Sequence, residues 1–296
     1  MRAIYKRELK AYMSHPRGFM FIPLLLLALG ILIFKFNIMD GVANISYAFY
    51  AHDWASYVII VLIPLLCMDA FSSERKHQMD RFYFSLPLKT SAVVLGKYLA
   101  LLTIYAISMG IVCLYPLVVS FMGEVNLLWS YATLVNYFIM GAALMAVCMF
   151  ISSLTKYTVV SGIVGILASA VLYGAPVLAG RLPINVPVAL GGFYILAAVL
   201  IVAAWFATKH TLTVIVTAVA AVSLPTIACV LDAFVFKGTF FMELFPSLLS
   251  YASPFYHFSF AAVDGVIDLF GIAVTLSYVV LFVFMTVRSL DQRRYA

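Results

Sequence analysis

The chain has 296 residues, of which 65% are hydrophobic and only 10% charged. A soluble domain carries about 25% charged residues, so a globule of this composition could not cover itself with polar surface, and lipid has to be the solvent for much of it. The net charge of +6 does not point to nucleic acid, because the bases sit in short clusters between apolar runs, as membrane topology places them.

The chain opens with a basic amphipathic stretch. Over residues 2–13, Tyr5, Leu9, Tyr12 and Met13 fall on one helical face, and Arg2, Lys6, Arg7 and Lys10 fall largely on the other. Such a helix lies in the membrane interface with its bases toward lipid headgroups, and Pro16 and Gly18 are expected to end it; the alternative is a plain basic flank that only sets topology. A cleaved signal peptide is not expected, since the segment before the first apolar run is long and contains Glu8, with no small-residue cleavage site after it.

Uncharged runs of the length a spanning helix needs, about 20 residues, follow at 18–34, 98–123, 125–155, 157–180, 182–208, 211–231 and 269–287. The run 54–73 qualifies with a single acid, Asp69, near its end. The prediction is an all-α polytopic bundle of eight transmembrane helices, in one membrane domain covering 1–296. The run 125–155 would be about 46 Å long as a helix, so its first residues are expected at the interface. With the N-terminus in the cytoplasm, 15 of the 18 basic residues fall on cytoplasmic segments, and only Lys35, Arg181 and Lys237 fall outside. This satisfies the positive-inside rule at every cytoplasmic loop and puts the C-terminus inside as well. Dropping the pair between 182 and 231 keeps that parity, so six spans is the alternative.

The longest cytoplasmic loop, 72–97, is also the most charged stretch. Ser72 and Ser73 could cap a helix, Glu74 would sit in its first turn, and Met79, Phe82, Tyr83 and Leu86 recur at helical spacing before Pro87 ends it. A short amphipathic helix there suits docking into a partner's groove; a solvated loop is the competing reading. Ser161, Gly165 and Ser169 repeat at four-residue spacing, which lets spanning helices approach closely. On the outside, 237–266 is rich in Phe, Leu and Tyr but interrupted at Pro246 and Pro254, which predicts short re-entrant helices packed on protein.

No catalytic set is visible. The histidines His15, His52, His77, His210 and His257 have no metal-ligand spacing, no phosphate loop is present, and Cys67, Cys113, Cys148 and Cys229 form no C-x-x-C pair. ATP, if it drives the protein, must be bound elsewhere. Asp69 is the one acid inside a predicted span and lies near its cytoplasmic end, where it can reach water, and this scarcity of buried charge weighs against an ion-coupled transporter.

Three places resemble the permease subunits of type-2 ABC exporters, the branch associated with gliding motility and nitrous-oxide-reductase maturation. They are Tyr5-Lys6-Arg7-Glu8-Leu9-Lys10 with Ser14-His15-Pro16; Ser73-Glu74-Arg75 to Ser85-Leu86-Pro87 with Leu95-Gly96-Lys97-Tyr98; and Ser253-Pro254-Phe255-Tyr256-His257 with Gly265 to Asp268 and the terminal Thr286-Val287-Arg288. The resemblance implies that 2–17 is an interfacial connecting helix with Arg2, Lys6, Arg7 and Lys10. It implies that 72–97 carries a coupling helix whose Glu74, Arg75, Lys76, Asp80, Arg81 and Phe82 meet a separate ATPase subunit, and that 237–266, with Pro246, Pro254 and His257, is re-entrant. It also implies a second permease copy or a homologous permease, no cofactor in this chain, ATP and Mg on the partner, a bacterial plasma membrane with its lipid, and export of a peptide, lipid or hydrophobic small molecule. His77-Gln78 and Asp80 depart from the Gly-Thr and Glu often found in that coupling helix. The alternatives are an ion-coupled secondary transporter or channel, and a membrane assembly factor that moves no solute.

Overall fold

The computed structural model describes residues 2–42, 44–50, 54–78, 89–121, 125–181, 186–208, scattered positions between 223 and 232, 239–258 and 268–294. Among them there are helices and no strand. In chain order these are α1 (Arg2–Ser14), α2 (Pro16–Ile33, prolonged by a π-helical turn Phe34–Met39), α3 (Ile45–Tyr50), α4 (Trp54–Cys67) and α5 (Ser72–Lys76). After them come α6 (Thr90–Val112), α7 (Tyr115–Ser120), α8 (Leu127–Leu154), α9 (Thr158–Arg181), α10 (Val186–Thr208), α11 (Thr239–Tyr251) and α12 (Leu269–Arg294).

Six stretches among the described residues are long and apolar enough to cross a membrane: Gly18–Met39, Trp54–Lys76, Thr90–Ser120, Leu127–Leu154, Thr158–Arg181 and Leu269–Arg293. The chain is a multi-pass membrane protein. Of the further pair predicted between 182 and 231, α10 occupies the first place, and most of the second lies outside the described residues. Rows of exposed apolar side chains, such as Phe19, Met20, Leu27 and Ile31 on α2 and Val159, Ile163, Leu167 and Val171 on α9, are what lipid rather than water would cover.

The chain divides into two compact units. In the first, Met1–Tyr173 with Pro254–Ala296, α8 is the central helix. It is apolar on all sides, as a helix surrounded by protein should be, and its stretch from Met140 to Met149 is buried throughout. Because apolar burial does not distinguish protein from lipid, hydroxyl groups and small residues set how its neighbours meet it. Tyr105 on α6 donates to the Tyr137 carbonyl at 3.1 Å and stacks on Phe138. Tyr137 donates in turn to Ala55 of α4 at 2.8 Å, and Ser46 of α3 meets Thr133 at 2.8 Å. Gly165, in the predicted small-residue row, lies where a Cβ would be 3.0 Å from Pro64 of α4 and 3.6 Å from the Cys148 sulfur of α8. That row therefore serves contacts within the chain.

A helix is present over the predicted N-terminal stretch, but its apolar face has a different use. Ile4 and Glu8 are buried and Leu9 and Tyr12 partly so, while Arg2, Lys6, Arg7, Lys10 and Met13 are exposed. The Ile4 side chain and the Tyr5 backbone close on Gly96 of α6, and the Tyr5 hydroxyl meets Thr103 at 3.0 Å. The face expected to meet lipid is thus covered by protein, and Met13 falls outside it. The helix ends at His15, which is extended, and Pro16 opens α2, a position where its missing N–H costs nothing. The run 125–155 is one continuous helix from Leu127 to Leu154, started by the Asn126 side chain accepting from the Trp129 N–H at 3.2 Å.

The second unit, Gly174–Ser253, holds the end of α9 with α10 and α11. Gly192 of α10 admits the Phe245 ring so closely that a Cβ would lie 2.1 Å from it, and Phe193 meets the same ring edge-on at 5.3 Å. Pro246 lies inside α11 and does not interrupt it. The chain breaks instead at Ala252-Ser253, before a helical stretch at 254–258. At 13 residues, α11 is too short to span a bilayer.

Candidate functional site: a buried charge cluster

Helix α4 ends at Cys67, and a turn over Met68–Phe71 leads into α5. The two serines predicted to cap α5 do not do so. Phe71 holds the cap position with no side-chain bond, and the Ser72 hydroxyl turns back to the Met68 carbonyl. The free N–H groups are met from α8 instead. Ser152, fully buried, accepts from Phe71 N–H at 3.1 Å and Ser72 N–H at 3.2 Å and donates to the Met68 carbonyl at 3.0 Å. Removing that hydroxyl strands two buried donors and weakens a third contact. Ser152→Ala should therefore cost about 2 kcal/mol, read as a lower melting temperature of the purified protein in detergent; a shift near zero would show the turn is held by other means.

Helix α5 has only five residues. Gln78 adopts a positive φ of 56°, the left-handed conformation that commonly terminates helices. A single helix from 72 to 86 is thus not formed. The predicted docking residues Asp80, Arg81 and Phe82, with Met79, Tyr83 and Leu86, lie outside the described residues. Of the remainder, Lys76 and His77 are exposed and Glu74 and Arg75 are partly buried. The Arg75 guanidinium donates to the Ser153 carbonyl at 3.0 Å, and Arg293 near the end of α12 donates to the same oxygen at 2.6 Å. Both cations lie at the C-terminus of α8, where the helix dipole favours positive charge.

Glu74 turns inward to Lys97. The ammonium of Lys97 is 2% exposed and has three hydrogens to place. They go to Glu74 at 2.8 Å, the Ala70 carbonyl at 2.8 Å and Glu8 of α1 at 3.3 Å. Its charge also stands 5.2 Å over the Phe71 ring, a favourable cation–π position. Arg7 pairs with Glu8 and reaches Glu74 at 3.9 Å. Burial pushes the Glu8 carboxyl up, but Lys97 and Arg7 outweigh it and hold Glu8 below the ordinary carboxylate range. Burial, with Cys67, Glu8 and Glu74 nearby, pushes the Tyr12 phenol well up, so it stays neutral. A cavity of about 180 Å³ opens beside the cluster, lined by Glu8, Tyr12, His15, Asp69, Glu74 and Lys97 among others. Asp69, expected at the membrane edge, sits in this cavity's wall.

Sequence reasoning placed Lys97 in the loop; α6 begins at Thr90 and carries it two turns inside. It also assigned no burial to Glu8. The signal available was the isolated base in an otherwise uncharged run from Thr90 to Gly123.

At the other end of α12, His257 meets Asp268 at 3.2 Å. His257 and Pro254 are buried, and Asn136 and Thr275 line the same nook. Partial burial pushes the Asp268 carboxyl up, but the Gly271 N–H, the His257 ring and the Phe270 N–H together hold it below its ordinary value. A depressed folded pKa stabilises at every pH above the unfolded value and is lost as pH falls through the folded one. Asp268→Ala should therefore cost about 1 kcal/mol at neutral pH, as for a lost helix cap, and the difference from wild type should begin to shrink below about pH 4, the ordinary aspartate value, and vanish once the pH is below the depressed folded pKa. An unchanged difference at low pH would show that the charge is not what stabilises.

Among the described residues no group of His, Cys, Asp and Glu could hold a metal ion. A family model described as "ABC-2 family transporter protein" matches residues 5–210, more than half of the chain. No curated protein and no solved structure matches it.

Proposed function

The chain belongs to the ABC-2 family of transporter proteins, a membrane permease that is not itself catalytic, and from that premise we propose that it is the spanning subunit of an ATP-driven exporter. The ATP and Mg are held by a separate ABC ATPase, and two permeases, either two copies of this chain or this chain and a homologue, complete the complex. The segment from Glu74 to Phe82 is the docking element, facing the cytoplasm of a bacterial cell together with both termini, and 237–266 is the re-entrant cap outside. The order of the three sequence motifs favours the branch associated with gliding motility and nitrous-oxide-reductase maturation. The apolar bundle suits a peptide, lipid or hydrophobic small molecule as cargo.

One observation carries the docking assignment. The described start of the segment, 74–78, is held to α6 by Glu74 and to α8 by Arg75, whose acceptor Ser153 also takes Arg293 of α12, while Lys76 and His77 remain exposed. A push on such a segment cannot be absorbed locally. In this reading Lys76 and Arg81 meet the ATPase, and Glu74 and Arg75 hold the segment in place. Co-expression of the tagged permease with an ABC ATPase from the same genome should co-purify the pair, and Lys76→Glu with Arg81→Glu should reduce recovery of the ATPase severalfold. Undiminished recovery with both charges reversed sinks the docking assignment, and failure of the wild type to retrieve any ABC ATPase sinks the transporter reading.

A further inference from the structure

The docking segment and the N-terminal helix are far apart in sequence, yet one buried cation joins them. We propose that Lys97 is the joint that transmits displacement of the docking segment to α1 and to α6, a positioning residue for the transport cycle. The inference rests on the reading that 72–78 docks to an ATPase. It comes from the count of hydrogens and acceptors. All three ammonium hydrogens are used, and their acceptors sit on the turn after α4, on α5 and on α1. At 2% exposure, Lys97 relies on these protein acceptors rather than on bulk water. A buried ammonium without its acceptors is strongly disfavoured, so when α5 shifts, the Lys97 ammonium follows it, and the buried lysine stem carries any displacement beyond its own reach to α6.

Helix α1 is bound to follow as well. Glu8 is 8% exposed and, if Lys97 leaves without it, loses its buried cation and keeps Arg7. The Ile4 side chain against Gly96, one residue before Lys97, adds steric contact at the same place, since a Cβ there would lie 3.1 Å from it. Arg7 holds Glu8 and Glu74 from the other side. The cavity beside the cluster gives the group room to move as a body. Uncharged residues would have packed these helices without this directionality. The charges make the three contacts all-or-none, which is what a coupling element with two arrangements requires.

The test uses the assembled permease–ATPase complex with spin labels at Lys10→Cys on α1 and Leu128→Cys at the start of α8, both exposed. The distance between labels is measured without nucleotide and after trapping with ATP and vanadate, normalised to the ATPase retrieved. Wild type should show a shift. Glu8→Gln, which removes the carboxylate charge of α1 and leaves the docking segment untouched, should reduce the shift severalfold, and Glu8→Asp should restore most of it, an outcome a purely structural contact does not produce. Glu74→Gln should reduce it as well. A full shift in Glu8→Gln overturns the joint, as does a loss in Glu8→Gln with none in an assembled Glu74→Gln. An assembled wild-type complex with no shift overturns it too, because nothing then reaches α1. A wild type that retrieves no ATPase instead overturns the functional reading on which the joint rests.

Discussion

Replacing Lys97 by Met is expected to lower stability by about 3–5 kcal/mol, the scale for removing one partner from a buried ion pair. Met fills nearly the same space, so the loss is electrostatic. Glu8 and Glu74 would lose the buried cation between them and keep the more exposed Arg7, and the Ala70 carbonyl would lose its 2.8 Å donor. The measurement is thermal unfolding of the purified protein in detergent or nanodiscs. The triple variant Lys97→Met, Glu8→Gln, Glu74→Gln removes the stranded charges together and should recover much of the stability, because neutral replacements for a whole buried cluster are often tolerated. If the single variant melts with wild type, the cluster is not buried in the way described. If the triple is worse than the single, packing around Lys97 dominates its charge.

Gly18→Ala is the second large effect expected. The corner between α1 and α2 turns on the single extended residue His15, and it brings the first turn of α2 against the end of α1. A Cβ on residue 18 would sit 2.2 Å from the Tyr12 carbonyl oxygen and 2.8 Å from its carbon. Backbone cannot rotate away as a side chain can, so the cost should reach about 3 kcal/mol, the upper part of the usual overpacking range. The relief is to swing α1 outward. That breaks the Glu8–Lys97 contact, so the same variant should also raise the reactivity of a thiol placed at buried Ile4, and it should weaken any nucleotide-driven shift of α1. An Ala variant with wild-type melting and an unreactive thiol at position 4 would place the corner elsewhere.

Much of the architecture was legible because lipid imposes a strong rule on sequence. Six of the eight predicted spans appear as helices long and apolar enough to cross a membrane, and α10 occupies a seventh; their starts lie within a few residues of those predicted except where α6 starts at Thr90 rather than 98. The N-terminal helix and the breaks at His15-Pro16 and Ser253-Pro254 follow from local backbone chemistry, which acts through neighbouring residues alone. Errors came where a distant group supplied what local chemistry did not. Ser72 and Ser73 looked like caps, but Ser152, far along the chain, met those N–H groups. Pro246 looked like a break, yet α11 runs through it.

The charged loop shows the same division. Its charge, its place between two spans and the motifs that resemble type-2 exporter permeases all stand in the sequence, and the family match bears out membership in the ABC-2 transporter family. Which charges face outward does not. Glu74, Arg75 and Lys76 are consecutive, and nothing in their order says that the first reaches Lys97, the second the end of α8, and only the third is left exposed.

The amino-acid sequence by itself determined that this is a multi-pass helical membrane protein, because hydropathy acts residue by residue against a fixed slab of lipid. Only the tertiary structure decided that Glu8, Glu74 and Lys97 form one buried cluster. Burial of a charge depends on acceptors brought from α1, α5 and the turn after α4, and their meeting is a property of how the helices pack rather than of any one segment.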